Sequence, residues 1–132
     1  MTPAEAALMA ERFEWTKGSG IYTQLNSPTG DHIRSYTTEY YSQGFGRPML
    51  EATYEHGAEP EYHLTDAGMA RVLIEGKIDL CWYGDRNIWE AGYLSAEDDP
   101  MWDRPTMLEY EHESPHEAAA QAALAQIRGE HE

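Results

Sequence analysis

The chain holds one cysteine, Cys81, so no disulfide can close within it, which fits a reducing compartment. Positive charge is scarce. Nine Lys and Arg stand against 24 Asp and Glu, for a formal net charge of −15. That balance argues against direct nucleic-acid binding, which needs cations to displace phosphate counterions. Long apolar runs are missing too: none approaches the ~20 residues that span a bilayer, so no membrane partner is expected. Residues 1–16 carry Glu5, Glu11 and Glu14 without a basic leading region, so no signal peptide is expected either. What is present is a globular composition, with four Trp, nine Tyr and ample aliphatic residues in 132 positions. That length suits a single domain over 1–132, and no linker long enough to divide it is evident.

The central stretch, Pro60 to Leu94, organises the rest. Thr65 is a natural N-cap, and Asp66 sits where a helix dipole favours negative charge. The spacing of Met69 with Leu73 and of Ala70 with Ile74 predicts an apolar helix face, with Gly76 as the stop. Ile78, Leu80 and Trp82 then alternate with Asp79, Cys81 and Tyr83. Gly84-Asp85-Arg86-Asn87 turns the chain, and Trp89, Ala91 and Tyr93 share one face of a second strand. Residues 106–112 alternate Leu108 and Tyr110 against Glu109 and Glu111, which predicts a third strand of the same sheet. Ser114, Pro115 and Glu117 open an Ala-rich helix with Ala120, Ala123, Leu124 and Ile127 on its apolar face and Gly129 as its stop.

Toward the N-terminus, Thr2, Pro3 and Glu5 predict a capped helix over residues 2–15, stopped by Lys17-Gly18-Ser19-Gly20. Residues 21–25 read as a short strand and Asn26 to Asp31 as a turn. Residues 32–41 favour strand by composition without clean alternation, and Met49 to Tyr54 fits either a helical turn or an edge strand. Glu55 to Glu61 reads as a surface loop. The fold class is therefore α+β: a small, mainly antiparallel sheet of three to five strands with helices packed on it. Ile78, Leu80, Trp82, Trp89, Ala91, Tyr93, Leu73, Ile74, Leu124 and Ile127 are expected to supply much of the core. A winged helix is the competing fold, suggested by Tyr62-x-Leu64-Thr65-x-Ala67-Gly68.

Over roughly residues 60–128, the order of elements resembles the phage ABA-sandwich domain, a family of small phage and prophage proteins. The resemblance is carried by Thr65-Asp66 at a helix start, Trp89-Glu90-Ala91 on a strand, Pro115-x-Glu117-Ala118 opening a closing helix, and Ala122-Ala123-Leu124 within it. His63-Leu64 departs from the pattern. The resemblance implies an alpha/beta sandwich, an origin in a phage or mobile element, and a location in the cytoplasm of a bacterial host. It transfers no activity, so function has to come from sites.

Charge is unevenly spread. Residues 1–50 carry five acids and four bases, 51–66 five acids and no base, and 96–117 eight acids and only Arg104. Two acidic segments follow, one with Glu55, Glu59 and Glu61, the other with Glu97, Asp98, Asp99, Asp103, Glu109, Glu111 and Glu113. Solvated loops are the plain explanation. The sharper one is an acidic face that occupies a basic groove in place of nucleic acid, with Trp102 as an apolar anchor inside a charged rim. No metal is expected: His112 and His116 are four apart, but Ser114-Pro115 starts a helix between them, and no Cys cluster supports either this pair or His56 and His63. Cys81 reads as a small packed residue, or as a thiol on a polar sheet face, with no His near it in sequence. Tyr36, Tyr40 and Tyr41 read as strand packing ahead of a recognition surface.

The sequence thus points to no catalytic residues and no cofactor. It suggests a small acidic accessory protein, not an enzyme, that binds a host protein through a basic nucleic-acid-binding groove. In size and acidity it is similar to anti-CRISPR inhibitors. The alternative is an oligomeric structural or regulatory phage protein that associates with its own copies. A hydrolase using His and Glu is the third class.

Overall fold

The computed structural model describes residues 1–25, 28–29, 33–44, 46–94 and 107–130. The acidic loop 95–105, with Glu97, Asp98, Asp99, Trp102 and Asp103, and most of the Asn26–Asp31 turn lie outside them. Among the described residues are three helices and seven strands, in the order α1 (Pro3–Phe13), β1 (Thr16–Leu25), β2 (Ile33–Ser42), β3 (Pro48–Glu55), β4 (His63–Leu64), α2 (Asp66–Gly76), β5 (Asp79–Tyr83), β6 (Ile88–Leu94), β7 (Met107–His112) and α3 (Pro115–Glu130). The fold is α+β, with two antiparallel sheets where one was expected. The chain divides into two compact units, Met1–Thr65 and Asp66–Glu132. Strands separate every described helix from the next, so no helix-turn-helix pair is present among them and the winged-helix alternative fails.

In the first unit, the expected capping box forms: Glu5 N–H donates to the Thr2 hydroxyl and Thr2 N–H to the Glu5 carboxylate. The helix stops earlier than Lys17-Gly18-Ser19-Gly20. Glu14 adopts a left-handed conformation (φ 59°), and Trp15 N–H returns to the Ala10 carbonyl at 2.8 Å, so Lys17–Gly20 are already strand. The sheet runs β1-β2-β3-β4, and Met49 to Tyr54 is strand. One side buries Tyr41, Leu50, Ala52 and Leu64. The other carries the stacked pair Tyr22–Tyr36, and Tyr40, whose ring lies where a Cβ on Gly18 would sit. A bare glycine facing an aromatic across an edge pair lets the ring cover the backbone. Of the three tyrosines expected to pack, only Tyr41 is buried; Tyr36 and Tyr40 point to the opposite, half-exposed side.

In the second unit, α2 buries Gly68, Val72 and Gly76, not the expected Ala70–Ile74 stripe, and Ile74 is exposed. The reason lies in its neighbour. α3 packs against α2, and Gln126 donates to the Gly76 carbonyl at 2.7 Å, close enough that a Cβ on Gly76 would strike the Gln126 amide. Gly76 ends the helix as expected. Lys77 takes the left-handed position (φ 53°), and Ile78 N–H closes on the Leu73 carbonyl. α3 also packs on β6 and β7. Meeting partners on two sides, it buries Ala118, Ala119, Ala120, Ala122, Ala123, Leu124 and Ile127, which explains its alanine content. It runs through Gly129 to Glu130, so Gly129 does not stop it.

The sheet order β5-β6-β7 bears out the expected three-stranded meander. Its α3-facing side buries Ala91 and Tyr93. Ile78 is buried just before β5, while Trp82 is exposed, because β5 is an edge strand and α3 covers β6 and β7. Trp82 instead packs across the pair on Trp89, at 5.0 Å between ring centroids.

Candidate functional site: an acidic open sheet face

Alternation fixes which side chains stand on the side of β5-β6-β7 opposite to Ala91 and Tyr93. The cross-strand partners Asp79–Gly92–Glu109 form one row, and Cys81–Glu90–Glu111 the next. Four carboxylates therefore share one face with a single thiol. Gly92, at the middle of the first row, contributes no side chain and leaves a floor between Asp79 and Glu109. The resulting concavity holds about 290 Å³ and is lined by Asp79, Leu80, Cys81, Tyr83, Glu90, Gly92 and Glu109. That is at the lower limit of small-molecule pockets, ~300–1,000 Å³. It is also too acidic for the usual apolar lining of such pockets.

The carboxylates on this face are only partly compensated. Partial burial pushes the Glu90 carboxyl above the usual range, and the neighbouring Glu109 and Glu111 charges push it further. The Tyr83 hydroxyl donates to it at 3.4 Å. The Glu90 charge in turn is the main reason the Tyr83 phenol is raised, and partial burial adds to it. Arg86 stands at the rim, 3.3 Å from Glu111 and 4.9 Å over the Tyr83 ring. Like charges crowded on a rigid sheet raise the free energy of the unbound protein, and a cation arriving from outside lowers it.

The expected site residues fall into two groups. Glu109 and Glu111 are exposed on this face, and Glu113 is exposed just after β7. Glu55, Glu59 and Glu61 are exposed in the first unit, where Glu55 pairs with Arg34 at 3.3 Å. Asp79 and Glu90 were not expected there, although the alternation around Cys81 and Trp89 carries the signal for both. Cys81 is exposed on the polar face and is not packed. The histidines serve other ends. His112 Nδ1 accepts from Ser114 N–H at 2.9 Å, and His116 Nε2 lies 2.6 Å from Asp66. Among the described residues no group of three or more His, Cys, Asp and Glu is arranged to hold a metal ion. No described helix is long and apolar enough to cross a membrane.

A second polar cluster lies in the first unit. Glu39 Oε2 accepts from the Tyr54 hydroxyl at 2.9 Å and the Tyr62 hydroxyl at 3.0 Å, while Oε1 lies 3.2 Å from the Lys17 amine. Burial alone would push this carboxyl up. The hydrogen bonds from Tyr54, Lys17 and Tyr62 outweigh it and hold the carboxyl below its usual range. Tyr62 is pushed up, by burial and then by Glu39, and so stays a donor. Every hydrogen bond here is satisfied internally, which makes the cluster structural.

No family model, curated protein or solved structure matches the chain.

Proposed function

We propose that the chain is a small acidic accessory protein of a phage or mobile element that acts by binding, and that it inhibits a host defence complex by occupying a basic groove otherwise used for nucleic acid. One observation supports this above all: Asp79, Glu90, Glu109 and Glu111 share an open sheet face on which partial burial and then the neighbouring carboxylates disfavour the Glu90 charge. A Lys- or Arg-lined groove supplies the missing cations, and the charge steers the encounter. The acidic loop with Asp98, Asp99 and Asp103 would extend the same chemistry. The resemblance to the phage ABA-sandwich domain and the size and acidity shared with anti-CRISPR proteins accord with this reading.

The test is affinity capture from a bacterial host at low and high salt, with the recovered proteins identified by mass spectrometry. The expected result is a nucleic-acid-binding complex whose recovery falls as salt screens the charges. Replacing Glu90, Glu109 and Glu111 together by Gln should weaken binding at least about tenfold. Charge reversal at Asp98, Asp99 and Asp103 tests the loop separately. Capture that ignores both salt and these substitutions would sink the acidic-face reading.

A further inference from the structure

Of the four sheet edges among the described strands, three are guarded. β4 has two residues; β5 has five and begins with Asp79; β7 has six and bears Glu109, Glu111 and His112. Short or charged edges resist pairing with another chain. β1 is the exception: it is ten residues long, and beyond Lys17 its sequence GSGIYTQL contains neither charge nor proline.

This edge also carries apolar surface. Ile21 is 74 % exposed, Leu25 64 % and Tyr22 48 %, and on β2 Ile33 is 63 % exposed. Ile21 and Leu25 stand on one side with Ile33, which pairs with Leu25; Tyr22 stands on the other, stacked on Tyr36. The side bearing Ile21 and Leu25 is the one that nearer β3 buries Tyr41 and Leu50. The core-facing stripe therefore runs on past the core into solvent.

Charge selects the occupant. Two chains of net charge −15 repel one another over most of their surface. Strands β1 and β2 hold Lys17 and Arg34 against Glu39 alone, so they form a patch with no net negative charge, through which two copies can approach. An antiparallel pair related by a two-fold axis normal to the sheet keeps equivalent side chains on the same side, which closes the assembly at two copies. We infer that β1 pairs with β1 of a second copy of this chain, joining two four-stranded sheets into one of eight strands. An axis through Ile21 aligns Lys17–Leu25 with its own reverse and keeps both Ile21 and Leu25 within the overlap. This inference stands apart from the acidic face, and the two respond oppositely to salt: dimerisation strengthens as repulsion between the copies is screened, whereas binding to a basic groove weakens.

The experiment is sedimentation of the full chain over a tenfold concentration range at low and high salt. A species of twice the 15.0 kDa chain mass is expected, more populated at high salt. Ile21→Lys and, separately, Leu25→Lys should each return it to monomer with the far-ultraviolet circular dichroism unchanged. Should either substitution perturb folding, amide exchange of the unaltered protein decides, because β1 amides should slow as concentration rises. A monomer under all conditions, a dimer indifferent to both substitutions, or concentration-independent β1 exchange would each overturn the inference, and a monomer would leave β1 to a foreign strand.

Discussion

Removing the Glu39 carboxylate should destabilise the protein far beyond what a partly exposed acid usually costs. The Glu39 side chain is 16 % exposed, and it is the acceptor for Tyr62, a residue only 1 % exposed. In Glu39→Ala the Tyr62 hydroxyl loses its acceptor with little water to replace it, a penalty of about 1–3 kcal/mol. The half-exposed Lys17 adds at most about 1 kcal/mol, and Tyr54, half-exposed, rehydrates. The expected loss is about 1–4 kcal/mol, read from urea denaturation with an unchanged m-value. Glu39→Gln keeps one acceptor but loses the charge-assisted part, so about 1–2 kcal/mol is expected. The pH dependence supplies a second readout. A carboxyl held below its usual range contributes stability that is present above its unfolded-state value and is lost as pH falls through the lower folded value. Acidification should therefore remove part of the stability of the unaltered protein, and Glu39→Gln should flatten that segment of the curve. An alanine variant within about 0.5 kcal/mol of the parent, the range of an ordinary surface change, would refute the argument, as would an unaltered acid limb in Glu39→Gln.

The other expectations concern the second unit. Val72, fully buried on α2, should cost about 1.5–3 kcal/mol on truncation to Ala, whereas Ile74→Ser on the exposed side of the same helix should stay within about 0.5 kcal/mol; equal costs in denaturant would put the buried face elsewhere. Glu90→Gln should stabilise the free protein above the raised pKa of Glu90, because the desolvation of its charge and then the repulsion from Glu109 and Glu111 end, and the gain should vanish at lower pH, where Glu90 is already protonated. Binding to a basic partner should move the other way, strengthening as pH rises through the Glu90 pKa and losing that dependence in Glu90→Gln. Titration calorimetry with the captured partner measures both, and a pH-independent affinity would remove Glu90 from the contact.

Much of the second unit was legible from local pattern. The meander β5-β6-β7 follows from two-residue alternation and from the Gly84–Asn87 turn, where Asn87 adopts φ 53°. The caps at Thr2 and Ser114 follow from side chains that bond their own backbone, an interaction contained within four residues. The acidic face was half legible: Glu109 and Glu111 stood out by charge, while Asp79 and Glu90 were hidden in segments that looked like core. The end of α2 at Gly76 was legible, but the other two stops were not. Glycine was taken as the terminator, whereas α1 ends where Glu14 accepts the left-handed conformation and Trp15 N–H returns to the Ala10 carbonyl, and α3 runs on through Gly129.

The sequence by itself determined what depends on near neighbours: helices and strands from periodicity, caps, turns, the α+β class and the excess of negative charge. Only the tertiary structure decided which face of α2 is inside, since that rests on packing: Gly68, Val72 and Gly76 are buried, with Gln126 of α3 reaching the Gly76 carbonyl, while the more apolar Ile74 is exposed. It alone decided that the strands form two sheets, that Glu39 gathers Lys17, Tyr54 and Tyr62, and that Asp79 and Glu90 join Glu109 and Glu111. Each of these depends on register between segments far apart in the chain, where a shift of one residue moves every side chain to the other face.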